Sequence, residues 1–96
     1  MKNKDLENII RMREIANIYS LTKQPEKSEN YHKIIIKLCD RHPKSEEMLT
    51  FKIQSLNQLK KTYKTLEAIK ELLNLNPYNI NALLNIASFL KEQNYV

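Results

Sequence analysis

Glycine is absent from the 96-residue chain. Its absence excludes devices that need a residue without a Cβ: phosphate-cradling loops, dinucleotide fingerprints, nucleophile elbows and tight turns built on positive φ. Tryptophan is absent too, and the chain has three prolines, two histidines and one cysteine. A lone Cys39 cannot close an internal disulfide, which fits a reducing compartment. His32, Cys39 and His42 match no metal-ligand spacing, so neither a metal nor a cofactor is expected. The acidic pair Glu46-Glu47 suits a helix N-terminus better than catalysis, and with no catalytic constellation the chain reads as a non-enzyme. No apolar run approaches bilayer length, and charges interrupt the N-terminal MKNKDLENIIRMRE. Neither a membrane partner nor a signal peptide is expected, and a cytoplasmic protein is the default.

Sixteen Lys and Arg against eleven Asp and Glu give a formal charge of +5, with 42% hydrophobic residues. This length and composition describe one domain with one core. Only Lys60, Lys61 and Lys64 cluster, at the turn between the third and fourth predicted helices. Lys23, Lys27 and Lys33 lie near the equivalent turn one unit earlier, so stacking of units aligns a basic edge. The tyrosines do not alternate with these lysines as base-stacking platforms do, which leaves nucleic-acid binding the weaker reading.

Helical spacing and turn signals predict five helices. Apolar residues from Leu6 to about Thr22 recur at three and four. Pro25 opens a second helix that ends at His42-Pro43. Ser45 caps a third running to Leu59, and Thr62 caps a fourth that stops at Asn76-Pro77. Asn79 caps a fifth, reaching about Gln93. On that last helix Leu83, Ala87, Leu90, Ile86 and Ile80 form the expected core stripe, with Leu84 and Phe89 widening the apolar arc. The fold class is all-α.

Pro43 and Pro77 are 34 residues apart, and the same slide places Ile15 on Leu49 and Leu83, Ile35 on Ile69, Leu38 on Leu72 and Cys39 on Leu73. The segment LEAIKELLNLNPYNINALLNIASFL, with its L-x-P-x-N juncture and A-L-x-N-x-A run, resembles the boundary between tetratricopeptide repeats. The resemblance covers residues 12–96. It implies a right-handed, antiparallel helix-turn-helix stack: repeat one at 12–45 with a helix extension at 1–11, repeat two at 46–79 and a half repeat at 80–96. Tyr19 with Tyr31, and Ile53 with Thr65, occupy positions where the family has small residues, which implies a wider or rotated first pair. A closed five-helix bundle is the competing architecture.

The resemblance further implies a concave groove lined by the first helix of each unit. It assigns Arg13, Ala16, Asn17 and Ser20 to the groove from the first helix, and Thr50, Phe51 and Gln54 from the third. The fifth contributes Asn81, Leu84, Asn85 and Ser88. Asn17, Phe51 and Asn85 are spaced by 34 and are expected to align. Asn amides suit an extended backbone, and Phe51 and Leu84 suit an apolar side chain. The family's carboxylate clamp needs cations where this chain has Ala16, Asn81 and Asn85, so acidic C-terminal tails are not expected there. The expected function is non-catalytic binding of a protein or peptide partner. The alternative is self-assembly through the fifth helix, as a homo-oligomer or as part of a longer solenoid, with Leu84 and Phe89 as the oligomer face.

Overall fold

The computed structural model describes residues 4–92. It contains five helices there, α1 (Lys4–Leu21), α2 (Pro25–Cys39), α3 (Glu46–Gln58), α4 (Thr62–Leu75) and α5 (Ile80–Glu92), and no strand among the described residues. The outermost parts of the expected leader and half repeat, residues 1–3 and 93–96, lie outside the described residues.

Local chemistry explains most boundaries. Pro25 sits in the first turn of α2, where its missing N–H costs nothing. Ser45 Oγ accepts from the Met48 N–H at 3.2 Å, and Asn79 Oδ1 accepts from the Ala82 N–H at 3.0 Å, so both expected caps are present. Thr62 is not a cap. It is the first helical residue of α4, and Lys61, whose side chain makes no capping bond, holds the N-cap position.

The α1–α2 and α3–α4 turns share one construction and correct the exclusion drawn from missing glycine. Lys23 and Lys60 both take left-handed backbone conformations, with φ of 60° and 58°. Around them the Gln24 N–H donates to Tyr19 O and the Lys23 N–H to Ser20 O. The Lys61 N–H likewise donates to Leu56 O and the Lys60 N–H to Asn57 O. This 6→1 and 5→2 pairing closes a helix C-terminus in a Schellman motif, here with lysine where glycine is the usual residue.

Each helix packs mainly on its neighbours in sequence. The pairs run antiparallel. Near the first turn the Tyr19 and Tyr31 rings stack at 5.7 Å. At the far end Asp5, at the start of α1, accepts from His42 at 2.8 Å and Arg41 at 3.4 Å, just beyond α2. Two apolar clusters result. Ile9, Ile35, Cys39 and Met48 join α1, α2 and α3. Leu49, Ile53, Leu56, Ala68, Ile69, Leu72 and Ala82 join α3, α4 and α5. Helix α3 contributes to both from different faces.

The internal register differs from a uniform slide of 34. The two left-handed turn residues are 37 apart. At that offset the buried set Ser28, His32 and Ile35 falls on Thr65, Ile69 and Leu72, and Ala16 falls on Ile53. From α3 to α5 the offset is 34, as the Ser45 and Asn79 caps show. The difference of three arises because α2 and its following loop are together three residues longer than α4 and its loop. Ile15 and Leu49 are therefore not equivalent: Ile15 is exposed and Leu49 buried. Ala16, assigned above to the groove, is fully buried, and of the apolar residues that recur along α1, Ile10, Ile18 and Leu21 are exposed.

A residue with a Cβ in the left-handed region carries about 1–2 kcal/mol of steric cost. Replacing Lys23 or Lys60 with glycine relieves it, at the expense of a freer unfolded chain. Each substitution is expected to raise stability by about 1 kcal/mol, read as a higher urea midpoint at unchanged helicity.

Candidate functional site

The outer face of α5 is an exposed apolar surface that the packing leaves. At the 34 offset Leu83, Ala87 and Leu90 correspond to Leu49, Ile53 and Leu56, which are 3%, 0% and 2% exposed against α4. On α5 Leu83 and Leu90 are 48% and 39% exposed and Ala87 is exposed as well. Ile80 and Leu84, 70% and 62% exposed, extend the same arc. At 100° per residue the five span about a third of the helix circumference. The inner face of α5 is made instead by Ala82, with Ile86 packed against the second cluster. The expected core stripe of α5 thus divides: Ile86 faces inward, while Leu83, Ala87, Leu90 and Ile80 face outward. Phe89 lies on the inner side, bordering a 20 Å³ crevice with Thr65 and Ile69. Of the two residues expected on an oligomer face, only Leu84 is on the open one.

Among the expected groove residues, three come together. Arg13 Nη1 donates to Gln54 Oε1 at 3.1 Å, and its guanidinium lies 5.3 Å from the centroid of the Phe51 ring. Phe51 itself packs against the first apolar cluster. Asn17 and Ser20 are exposed and outside this contact, and Ser20 borders a separate cavity with His32 and Gln58. The Thr50 hydroxyl donates to the Glu46 carbonyl within its own helix. Asn85 donates to the Asn81 carbonyl at 2.6 Å, and Asn85 and Ser88 border the crevice under Phe89. The alignment of Asn17, Phe51 and Asn85 does not form, since α1 and α3 correspond at 37.

A cleft of 480 Å³ between α2 and α4, floored by α3, was not anticipated as a site. Leu56 of α3 and Leu59 just after it lie at its base, with Ile36 of α2 and Ala68 of α4 completing the apolar floor. Lys33, Lys37, Lys52, Lys61 and Lys64 surround it, with Asp40, Glu67 and Glu71. Three of the lysines belong to the basic edge or cluster read from the sequence. The remaining signal was the i, i+4 pairing of Lys33 with Lys37 and of Glu67 with Glu71, which places each pair on one helix edge.

The sequence resembles no characterised protein closely enough to name a family: no protein-family model, curated protein or solved structure matches. Among the described residues no group of His, Cys, Asp and Glu could hold a metal ion, and no helix is long and apolar enough to cross a membrane.

Two titratable groups, His32 and Cys39, lie inside the core. His32 Nδ1 lies 3.0 Å from Ser55 Oγ in a buried contact between α2 and α3, and burial lowers the imidazole pKa from 6.5. Burial pushes the Cys39 thiol up to about 12, reinforced by Asp40 and opposed by Lys52. Glu46 is held below its ordinary value by hydrogen bonds from Asn79 and Asn76, and Asp5 by its bond to His42. The two carboxylates stabilise the fold above the unfolded carboxyl range and lose that contribution as pH falls through their lowered values.

A histidine whose folded pKa is lowered stabilises the fold fully above its unfolded value of 6.5, and the contribution falls as pH drops below it. The urea midpoint of the wild type is therefore expected to fall between pH 7.5 and 5.5. The drop shrinks in His32→Ile/Ser55→Ala, which installs the residue found at the matching position of α4 and removes the orphaned hydroxyl. Cys39 is expected to resist a disulfide-exchange reagent at pH 8 in the folded protein and to react promptly in 8 M urea, read by thiol titration.

Proposed function

We propose that this chain is a non-catalytic protein-interaction module, a tetratricopeptide-like helical stack, and that α5 receives a helix from a partner protein. The observation that carries this reading is the open stripe of Leu83, Ala87 and Leu90, at positions where the preceding unit buries Leu49, Ile53 and Leu56 against α4. The intramolecular example specifies the occupant. Helix α4 meets α3 through Thr65, Ala68, Ile69 and Leu72, so the partner helix carries small and aliphatic residues at i, i+3, i+4 and i+7. Fully burying an exposed leucine side chain contributes roughly 1.5–3 kcal/mol, and Leu83 and Leu90, 48% and 39% exposed, gain less than half of that each. The free cysteine fits a reducing, cytoplasmic setting for such a module.

The opposite end of the stack differs. At the 37 offset, the α1 residues matching the α3 face that meets the first pair are Arg11, Glu14 and Ile18, all exposed. Two charges on that face suit a solvated cap, whereas Ile80 to Leu90 contains no charge at all. The groove around Arg13 is a poorer candidate, because the Arg13 guanidinium already donates to Gln54 through Nη1 and lies over the Phe51 ring, which leaves its buried Nε as the atom without a hydrogen-bond partner.

A synthetic peptide with the sequence of residues 62–75 presents the required stripe and serves as the probe. Saturable binding to the intact protein is expected, weakened about tenfold in Leu83→Asp/Leu90→Asp at unchanged helicity. Absence of binding overturns the reading. So does a dimer in light scattering that the same double variant converts to monomer, because α5 would then be a self-association face.

A further inference from the structure

The cleft between α2 and α4 has a charge imbalance that the fold itself leaves standing. Of its five lysines only Lys52 is in an ion pair among the described residues, with Asp40 at 2.7 Å. The ammonium groups of Lys33, Lys37, Lys61 and Lys64 form no ion pair or hydrogen bond among the described residues, and only Glu67 and Glu71 oppose them from the rim. Beneath the charges the floor is aliphatic, and the volume of 480 Å³ is that of a site for a few side chains. Lysines on long apolar stems can follow a bound segment without dehydrating their ammonium groups.

We propose that this cleft binds an acidic linear peptide segment, with a leucine-sized side chain on Ile36, Leu56, Leu59 and Ala68. Flanking carboxylates of the segment reach Lys33 and Lys37 on one wall and Lys61 and Lys64 on the other. A nucleic acid fits this site less well for two reasons. No aromatic residue among the described ones lines the cleft to stack a base, and Glu67 and Glu71 face any phosphate backbone that tracks the lysines. The two acids also favour a ligand whose charges are discrete and separated by an apolar anchor. This site is separate from the open face of α5 and does not depend on its occupant.

The test uses fluorescence anisotropy with labelled probes on the intact protein. The first probe has two central leucines flanked on each side by three acidic residues. Comparison probes replace the acids with glutamine, replace the leucines with serine, or are a single-stranded oligouridine. The acidic leucine probe is expected to bind saturably and to weaken with salt. Both substituted peptides and Lys33→Gln/Lys64→Gln are expected to reduce affinity at least about tenfold. Both lysines are exposed, so circular dichroism is expected to remain that of the wild type. Leu83→Asp/Leu90→Asp is expected to leave this binding unchanged, which separates its failure from that of the α5 reading. The proposal is overturned by no saturable binding, by equal affinity for the glutamine or serine probe, or by indifference to the lysine substitutions. Tighter binding of the oligouridine with the same lysine dependence also overturns it.

Discussion

Everything in this all-α fold depends on α3 burying two faces at once. Met48 and the partly buried Phe51 face the first helix pair, while Leu49, Ile53 and Leu56 face α4. A helix of 13 residues with apolar contact on two sides has little circumference left for solvent. The consequence is a chain of pairwise packings in which α2 and α4 meet through α3 instead of through each other. The cleft between them follows directly, because α3 can supply its floor but not fill its width.

Polar contacts then set the alignment that apolar burial alone leaves loose. Ser55 and His32 meet inside the α2–α3 contact, where an unmatched hydroxyl or ring nitrogen would carry a desolvation cost. Glu46 accepts from both Asn76 and Asn79, so the start of α3 is tied to the loop between α4 and α5. Asp5 does the corresponding work for α1 by holding His42 and Arg41. These ties sit on the same edge of successive pairs and oppose sliding of one helix along the next.

Helix number, order and nearly every boundary were legible in the sequence, because Pro25, Ser45, Pro77 and Asn79 act locally. The phase of the buried stripes was not. A slide of 34 aligns Pro43 with Pro77 correctly for α3 and α5, but it misplaces α1 and α2 against α3 and α4 by the three residues added before Pro43. That error exchanged Ile15 for Ala16 and displaced the groove. On α5 an apolar arc on both sides of the helix gave no sequence signal for which side faced inward, so Leu83 and Phe89 exchanged roles. The lysine cleft was hidden for a different reason: it draws on three helices, and only Lys60, Lys61 and Lys64 are close enough in sequence to register as a cluster. Glycine's absence misled in one respect, since turn geometry is set by the carbonyls that must be satisfied, and lysine can adopt it at a cost.

The packing is graded along the chain, and α5 rests on α4 by far the thinnest contact. Its backbone amides are consequently the first expected to open, through local detachment that leaves the other four helices intact. The proposed partner helix needs the outer stripe in helical register, which a detached helix of 13 residues keeps poorly, so its apparent affinity scales with the docked fraction. In return, binding would lock α5 onto Ala68, Ile69 and Leu72, coupling occupancy of an exposed face to the rigidity of the core behind it.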